Sequence, residues 1–202
     1  NAGFFTSLYV VIVPFLTSII WKQQVHRNIW AAGAIAVLGA GLLSNGGMSL
    51  DLSLGDGLEL SGAFFWALHV ILVGMAMKQF DVLRFSTAQY IIAGLLNLAA
   101  GWIRAGELWV GFASAWWTIL YIGLISTALG YTLQAKAQQH APPADASIVL
   151  SLEAVFAALF GWMFLMEALV PVQILGCCLI FCGVILAQWR QYPVTISSSG
   201  SK

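Results

Sequence analysis

Charge is what this sequence has least of. Eight basic and eight acidic residues make up 8% of its 202 positions, while 60% of the residues are hydrophobic. A soluble domain carries roughly 25% charged residues. So few charges cannot build a water-facing surface, which excludes an ordinary soluble globule and makes lipid the solvent for most of the chain. The formal net charge is zero, so no excess of positive charge points to nucleic acid. The same hydrophobicity excludes disorder over most of the length. Cysteine is scarce too: Cys177, Cys178 and Cys182 share one apolar run, lack the paired CxxC spacing of a zinc or redox site, and read as small packing residues. HExxH, GxSxG, Walker A and Asp-rich pyrophosphate-binding patterns are absent, and His26, His69 and His140 lie at different depths. No catalytic residue, metal or cofactor is therefore expected.

What the chain does have is long apolar runs, cut to length by its few charges. A transmembrane helix needs about 20 apolar residues. Seven pieces suit: Ala2–Trp21, Ile29–Ser44, Leu60–Met77, Phe85–Ile103, Leu108–Ala135, Ala146–Met166 and Val172–Trp189. The runs are continuously apolar and do not alternate, so helices are preferred to a β-barrel. The fold class expected is all-α, a polytopic bundle of seven spans. Lys22–Asn28, Gln79–Arg84 and Gln138–Asp145 are short polar turns; Pro142 and Pro143 stop one helix and Asp145 can cap the next. Seven spans would gather Lys22, Arg27, Lys78, Arg84, Lys136, Arg190 and Lys202 on one side and leave only Arg104 on the other. Basic residues stay cytoplasmic, which predicts a cytoplasmic C-terminus, with Asp51, Asp56, Glu59, Glu107 and Glu167 in the opposite loops. The chain starts at Asn1 on the edge of a span, without a signal peptide, so further sequence is expected upstream.

Residues 1–43 align without a gap on residues 145–187, with six identities, among them Ser7/Ser151, Leu8/Leu152 and Gly39/Gly183. Each copy has a polar start, a span, a short turn and a shorter span with a glycine near its end. An odd number of spans apart, the copies would cross the membrane in opposite directions, the inverted repeat common in secondary transporters. The stretch Ser151-Leu-Glu-Ala-Val-Phe-Ala-Ala-Leu-Phe-Gly-Trp, with Met166-Glu167, Gly176 and Gly183-Val-Ile-Leu after it, resembles the end of an EamA-type domain of the drug/metabolite transporter superfamily. The resemblance implies two five-helix repeats, ten spans, with both termini cytoplasmic. Residues 1–44 would be the last two spans of the first repeat, 45–56 the loop between repeats, 57–189 a complete second repeat and 190–202 a cytoplasmic tail. Three spans would precede Asn1. The chain departs from the family pattern at Gln23, where the first repeat usually has the counterpart of Glu167, and at Ala154, where proline often follows the Ser-Leu-Glu triplet.

Function reads as movement of a small organic metabolite or drug across a bacterial inner membrane, and the resemblance implies export more often than uptake. An intramembrane lipid-modifying enzyme and a non-transporting membrane subunit are the alternatives. Glu153 is the one acid well inside a span, where an unpaired charge costs about 2.5–3.5 kcal/mol. It shares a stripe with Val149, Phe156 and Phe160. It reads as a substrate-contacting or proton-titrating carboxylate, or as a structural acid bonded to a neighbouring helix. His69, one turn after Trp66, reads as a cavity histidine, with proton coupling through it or Glu153 open, or as an interhelical hydrogen bond. Tyr90 and Asn97 share a face, as do Trp117, Tyr121 and Tyr131; these suit planar or amphipathic solutes, or packing and interface anchoring. Tyr9 joins the candidates as the repeat partner of Glu153. Gly176, Gly183 and Ala187 form a small-residue stripe that predicts close helix packing and no site.

Overall fold

The computed structural model describes residues 2–44, 54–105 and 111–189, and all their regular structure is helical. The helices are α1 (Ala2–Ser7), α2 (Tyr9–Ile19), α3 (Arg27–Leu43), α4 (Leu54–Ala76), α5 (Val82–Ala105), α6 (Phe112–Leu120), α7 (Thr132–Gln138), α8 (Pro143–Leu150), α9 (Leu152–Leu165) and α10 (Pro171–Gln188). A π-helical stretch, Tyr121–Tyr131, joins α6 to α7. Single residues, Leu8 and Ser151, separate α1 from α2 and α8 from α9. Among the described residues five helices are long and apolar enough to cross a membrane, while Phe4–Ile19 and Arg27–Leu43 are shorter apolar helices. Leucine and isoleucine side chains such as Leu95, Leu96 and Ile103 on α5 are more than half exposed, which suits a hydrocarbon solvent and not water.

Several boundaries differ from those read off the charges. Helix α4 begins at Leu54, so it takes in Asp56 and Glu59, which the sequence places in a loop. Asp56 is buried at 8% exposure. Helix α5 absorbs Arg84, whose N–H bonds to Asp81 Oδ1 at 3.0 Å. Helix α7 ends at Gln138, ahead of the two prolines, and α8 begins at Pro143, which leaves Asp145 inside its first turn and not at the cap. Proline suits that first position because its missing N–H would be unpaired there anyway. Asp51, Glu107, Arg190 and Lys202, with the loop residues 45–53 and the tail 190–202, lie outside the described residues.

The chain forms two compact units, one of Asn1–Ile71 with Pro143–Lys202, the other Leu72–Pro142. In the second unit the end of α4, the start of α5 and α7 meet around Val73, Met77, Val82 and Ala135. In the first unit the main contact is between α3 and α10. A Cβ on Gly39 would lie 2.6 Å from the Gly176 carbonyl oxygen, and one on Gly176 would lie 2.5 Å from the Gly39 carbonyl oxygen and 2.7 Å from the Leu43 nitrogen. Towards the other end a Cβ on Gly183 would sit 2.9 Å from the Ala32 carbonyl oxygen and 3.5 Å from the Ala36 Cβ. Contacts climb α10 as they descend α3, so the two helices run antiparallel. The small-residue stripe therefore packs backbone on backbone.

Features recur at the spacing of the gapless alignment. Helix α2 ends with Lys22 left-handed at φ 51 and the Gln23 N–H reaching the Thr17 carbonyl at 3.1 Å. Helix α9 ends with Met166 left-handed at φ 56 and the Glu167 N–H reaching the Gly161 carbonyl at 3.3 Å. Each is a wide variant of the Schellman closure, its backbone bond spanning six residues where the usual one spans five, and it satisfies a terminal carbonyl. The α3–α10 contacts are reciprocal in the same register: Gly39 meets Gly176 as Gly183, its alignment partner, meets Ala32, the partner of Gly176.

Candidate functional site

The helix breaks organise one cavity in the first unit. At Leu8 the ladder tightens: its N–H bonds to Phe5 O at 3.2 Å, and Ser7 Oγ donates to Phe4 O at 2.6 Å, taking up the carbonyl that Leu8 would otherwise use. At Ser151 the N–H bonds to Ile148 O at 3.1 Å, and the hydroxyl donates to the same oxygen at 2.5 Å. Serine hydroxyls that back-bond to the preceding turn favour such interruptions. Pro14 removes a further helical bond, the one to the Val10 carbonyl, and α3 crosses there at Gly33, where a Cβ would be 3.7 Å from that oxygen.

Both breaks face a cavity of about 240 Å³. All of its lining except Ala40 and Ala157 comes in pairs related by the alignment: Thr6 with Leu150, Ser7 with Ser151, Tyr9 with Glu153, Val10 with Ala154, and Ala36 with Ile180. Glu153 is the one ionisable acid in this wall, and no Lys, Arg or His lines it. The carboxylate is exposed to the cavity, whereas Tyr9 is 5% exposed. Behind Tyr9 the aromatic wall continues: its ring meets Trp66 edge-on at 6.5 Å, and Trp66 stacks on His69 at 5.0 Å and 19°. Thus Tyr9 and Glu153 line one cavity, and Trp66 and His69 stand in line behind Tyr9.

One carboxylate escaped the sequence reading. Glu59, taken for a loop acid, accepts a hydrogen bond from the cavity-lining Thr6 hydroxyl at 3.0 Å. The available signal was its position one residue before an apolar run. The stripe of Val149 on α8 and Phe156 and Phe160 on α9 is 41–52% exposed, with Phe156 and Phe160 stacked at 6.3 Å.

The remaining candidates belong to the second unit. Tyr90 ties α5 to the end of the π-helical stretch: its hydroxyl donates to Ala128 O at 3.2 Å and lies 2.9 Å from Thr132 Oγ1. The side chain of Asn97 turns back on its own helix, Nδ2 donating to Ala93 O at 2.8 Å. Tyr121 is 64% exposed and Tyr131 half-buried. Among the described residues no group of three or more His, Cys, Asp or Glu could hold a metal ion.

Comparison with known proteins matches residues 53–189 to the EamA-like transporter family. The chain belongs to the EamA-like transporter family. Its relatives include an uncharacterized transporter of Archaeoglobus fulgidus, 28% identical over 190 residues, covering 94% of this chain and 60% of the relative. The threonine/homoserine exporter RhtA of Salmonella typhimurium is 31% identical over 175 residues, 83% of this chain and 56% of RhtA. The uncharacterized transporter YwfM of Bacillus subtilis is 29% identical over 178 residues, 87% of this chain and 60% of YwfM. The chain thus spans less than two thirds of these relatives. The EamA-like assignment and the apolar helices make it an integral membrane protein.

Proposed function

We propose that this chain supplies seven spans of a ten-span, five-plus-five inverted-repeat secondary transporter that exports a small organic metabolite across the bacterial inner membrane. The C-terminus lies in the cytoplasm, as the basic residues favour. The observation that carries the reading is the 240 Å³ cavity, walled by alignment-related residues at two interrupted helices. Solute sites of inverted-repeat transporters form at discontinuous helices near the repeat interface, and access alternates as the repeats rock about them. The paired Schellman closures and the reciprocal glycine contacts support the repeat. Glu153, with Tyr9, Trp66 and His69 alongside, contacts the solute or carries a proton; Tyr90, Asn97, Tyr121 and Tyr131 are candidate solute contacts within the second unit. An accessible, mainly apolar cavity that carries Thr6, Ser7, Tyr9, Ser151 and Glu153 favours transport over a dry, packed non-transporting subunit.

Because a relative is named for threonine and homoserine, these two amino acids are the first cargoes to test. The experiment compares wild-type protein with Glu153→Gln in membrane vesicles loaded with labelled threonine or homoserine, alongside a wider panel of metabolites. The substitution keeps the volume and removes the charge. Transport of the responding solute should fall at least about tenfold, as for a contact of about 1.4 kcal/mol, with folded protein unchanged. Unaltered transport would reduce Glu153 to a structural acid.

A further inference from the structure

Glu167 has no role in the reading above, yet its position is closely defined. It follows the left-handed Met166, and its carboxylate folds back over α9, where a Cβ on Gly161 would lie 2.6 Å from Oε2. A side chain at position 161 would displace the carboxylate from this place. Glu167 lines a second cavity of about 400 Å³ with Ser44 and Gln173. Gln173 braces this vestibule: its Oε1 accepts the Val170 N–H at 3.0 Å and its Nε2 donates to Leu43 O at 3.4 Å, joining the α9–α10 turn to the end of α3. The vestibule and the Glu153 cavity share Ala40, Ala154 and Ala157 as lining. The two chambers therefore adjoin at three alanines; among the described residues each is lined by one carboxylate and neither by Lys, Arg or His. The Glu167 carboxylate folds back to the level of Gly161, eight residues beyond Glu153 on α9, a rise of about 12 Å.

We propose that this α3–α9–α10 groove is a two-station path for an ammonium-bearing solute, received at Glu153 and passed through a neck walled by the three alanines to Glu167 in the vestibule, the direction that export requires. The proposal rests on the transport reading and adds the charge class of the cargo. A cleft with carboxylates of one sign and apolar walls focuses a negative potential, which concentrates cations and repels anions. The alanines leave the neck wide and offer no group to hold the cargo between stations.

The test needs no knowledge of the natural solute. Cys177, Cys178 and Cys182 are replaced by alanine, and Ala157→Cys places one thiol on the neck. In proteoliposomes the rates of modification by a trimethylammonium-ethyl and by a sulfonato-ethyl methanethiosulfonate are measured, each normalised to its rate with 2-mercaptoethanol. The cationic reagent should be favoured, and Glu167→Gln should lower that preference about tenfold, in keeping with potentials of several kT in charged clefts; Glu167→Asp should retain most of it. Loss of packing alone would change both rates together. A preference untouched by Glu167→Gln overturns the two-station path and leaves the transport reading standing. A neck thiol that reacts with neither reagent overturns both.

Discussion

Replacing Gly39 by alanine tests the α3–α10 contact with one methyl group. The new Cβ would lie 2.6 Å from the Gly176 carbonyl oxygen, 2.9 Å from the Ile180 nitrogen and 2.9 Å from an Ile180 side-chain carbon. Ordinary contact begins near 3.4 Å, and two of the three neighbours are backbone, so no rotamer change relieves the clash. The helices must move apart by nearly 1 Å, which loosens the contacts of Ala32 and Ala36 along the same seam. Overpacking of this kind costs about 1–3 kcal/mol. Gly62→Ala is the control: nothing lies within 4 Å of its Cβ site on α4, and exchanging a helical glycine for alanine gains up to about 1 kcal/mol. That gain is common to both variants, so unfolding by sodium dodecyl sulfate in mixed micelles, followed by tryptophan fluorescence, should separate them by about 1–3 kcal/mol. Gly176→Ala should resemble Gly39→Ala, and the double variant should cost less than the sum, because the first separation makes room for the second methyl. Equal stability of Gly39→Ala and Gly62→Ala would refute the backbone-on-backbone packing.

Two further outcomes follow from particular residues. Tyr90→Phe removes the hydroxyl that bridges Ala128 O and Thr132 Oγ1 and should destabilise the protein by about 1 kcal/mol; adding Thr132→Val should cost less than Thr132→Val alone, and full additivity would mean the bridge is absent. Reporter fusions after Lys78 and after Glu107 should report opposite sides of the membrane, with Lys78 cytoplasmic; the same side for both would sink the seven-span topology.

Much of the candidate cavity could be read in advance because a lone carboxylate in an apolar run is costly unless something receives it. That argument singles out Glu153, and the gapless alignment then selects Tyr9; both line one cavity. Glu59 and Glu167 were less legible. Each stands at the edge of an apolar run, where an acid has a cheap alternative in water, and only tertiary contact distinguishes a loop acid from one bonded to Thr6 or folded over Gly161. Asn97 shows what a sequence pattern leaves open: a polar residue within a span draws attention as a site, and its amide donates to a carbonyl of its own helix.

Composition alone determined that lipid is the solvent, because eight charged pairs among 202 residues cannot hydrate a surface. It also determined helical structure, since continuous apolar runs can satisfy their backbone groups in hydrocarbon only within each segment. Periodicity marked the small-residue stripe at Gly176 and Gly183. Tertiary structure decided what that stripe meets, and in which register and direction, because the partner glycine and alanines lie more than a hundred residues away and no local rule couples them. It likewise decided where the helices break. The hydrogen bonds at Leu8 and Ser151 tighten by one residue, a choice set by what surrounds each turn and invisible in a run of residues all compatible with an unbroken helix.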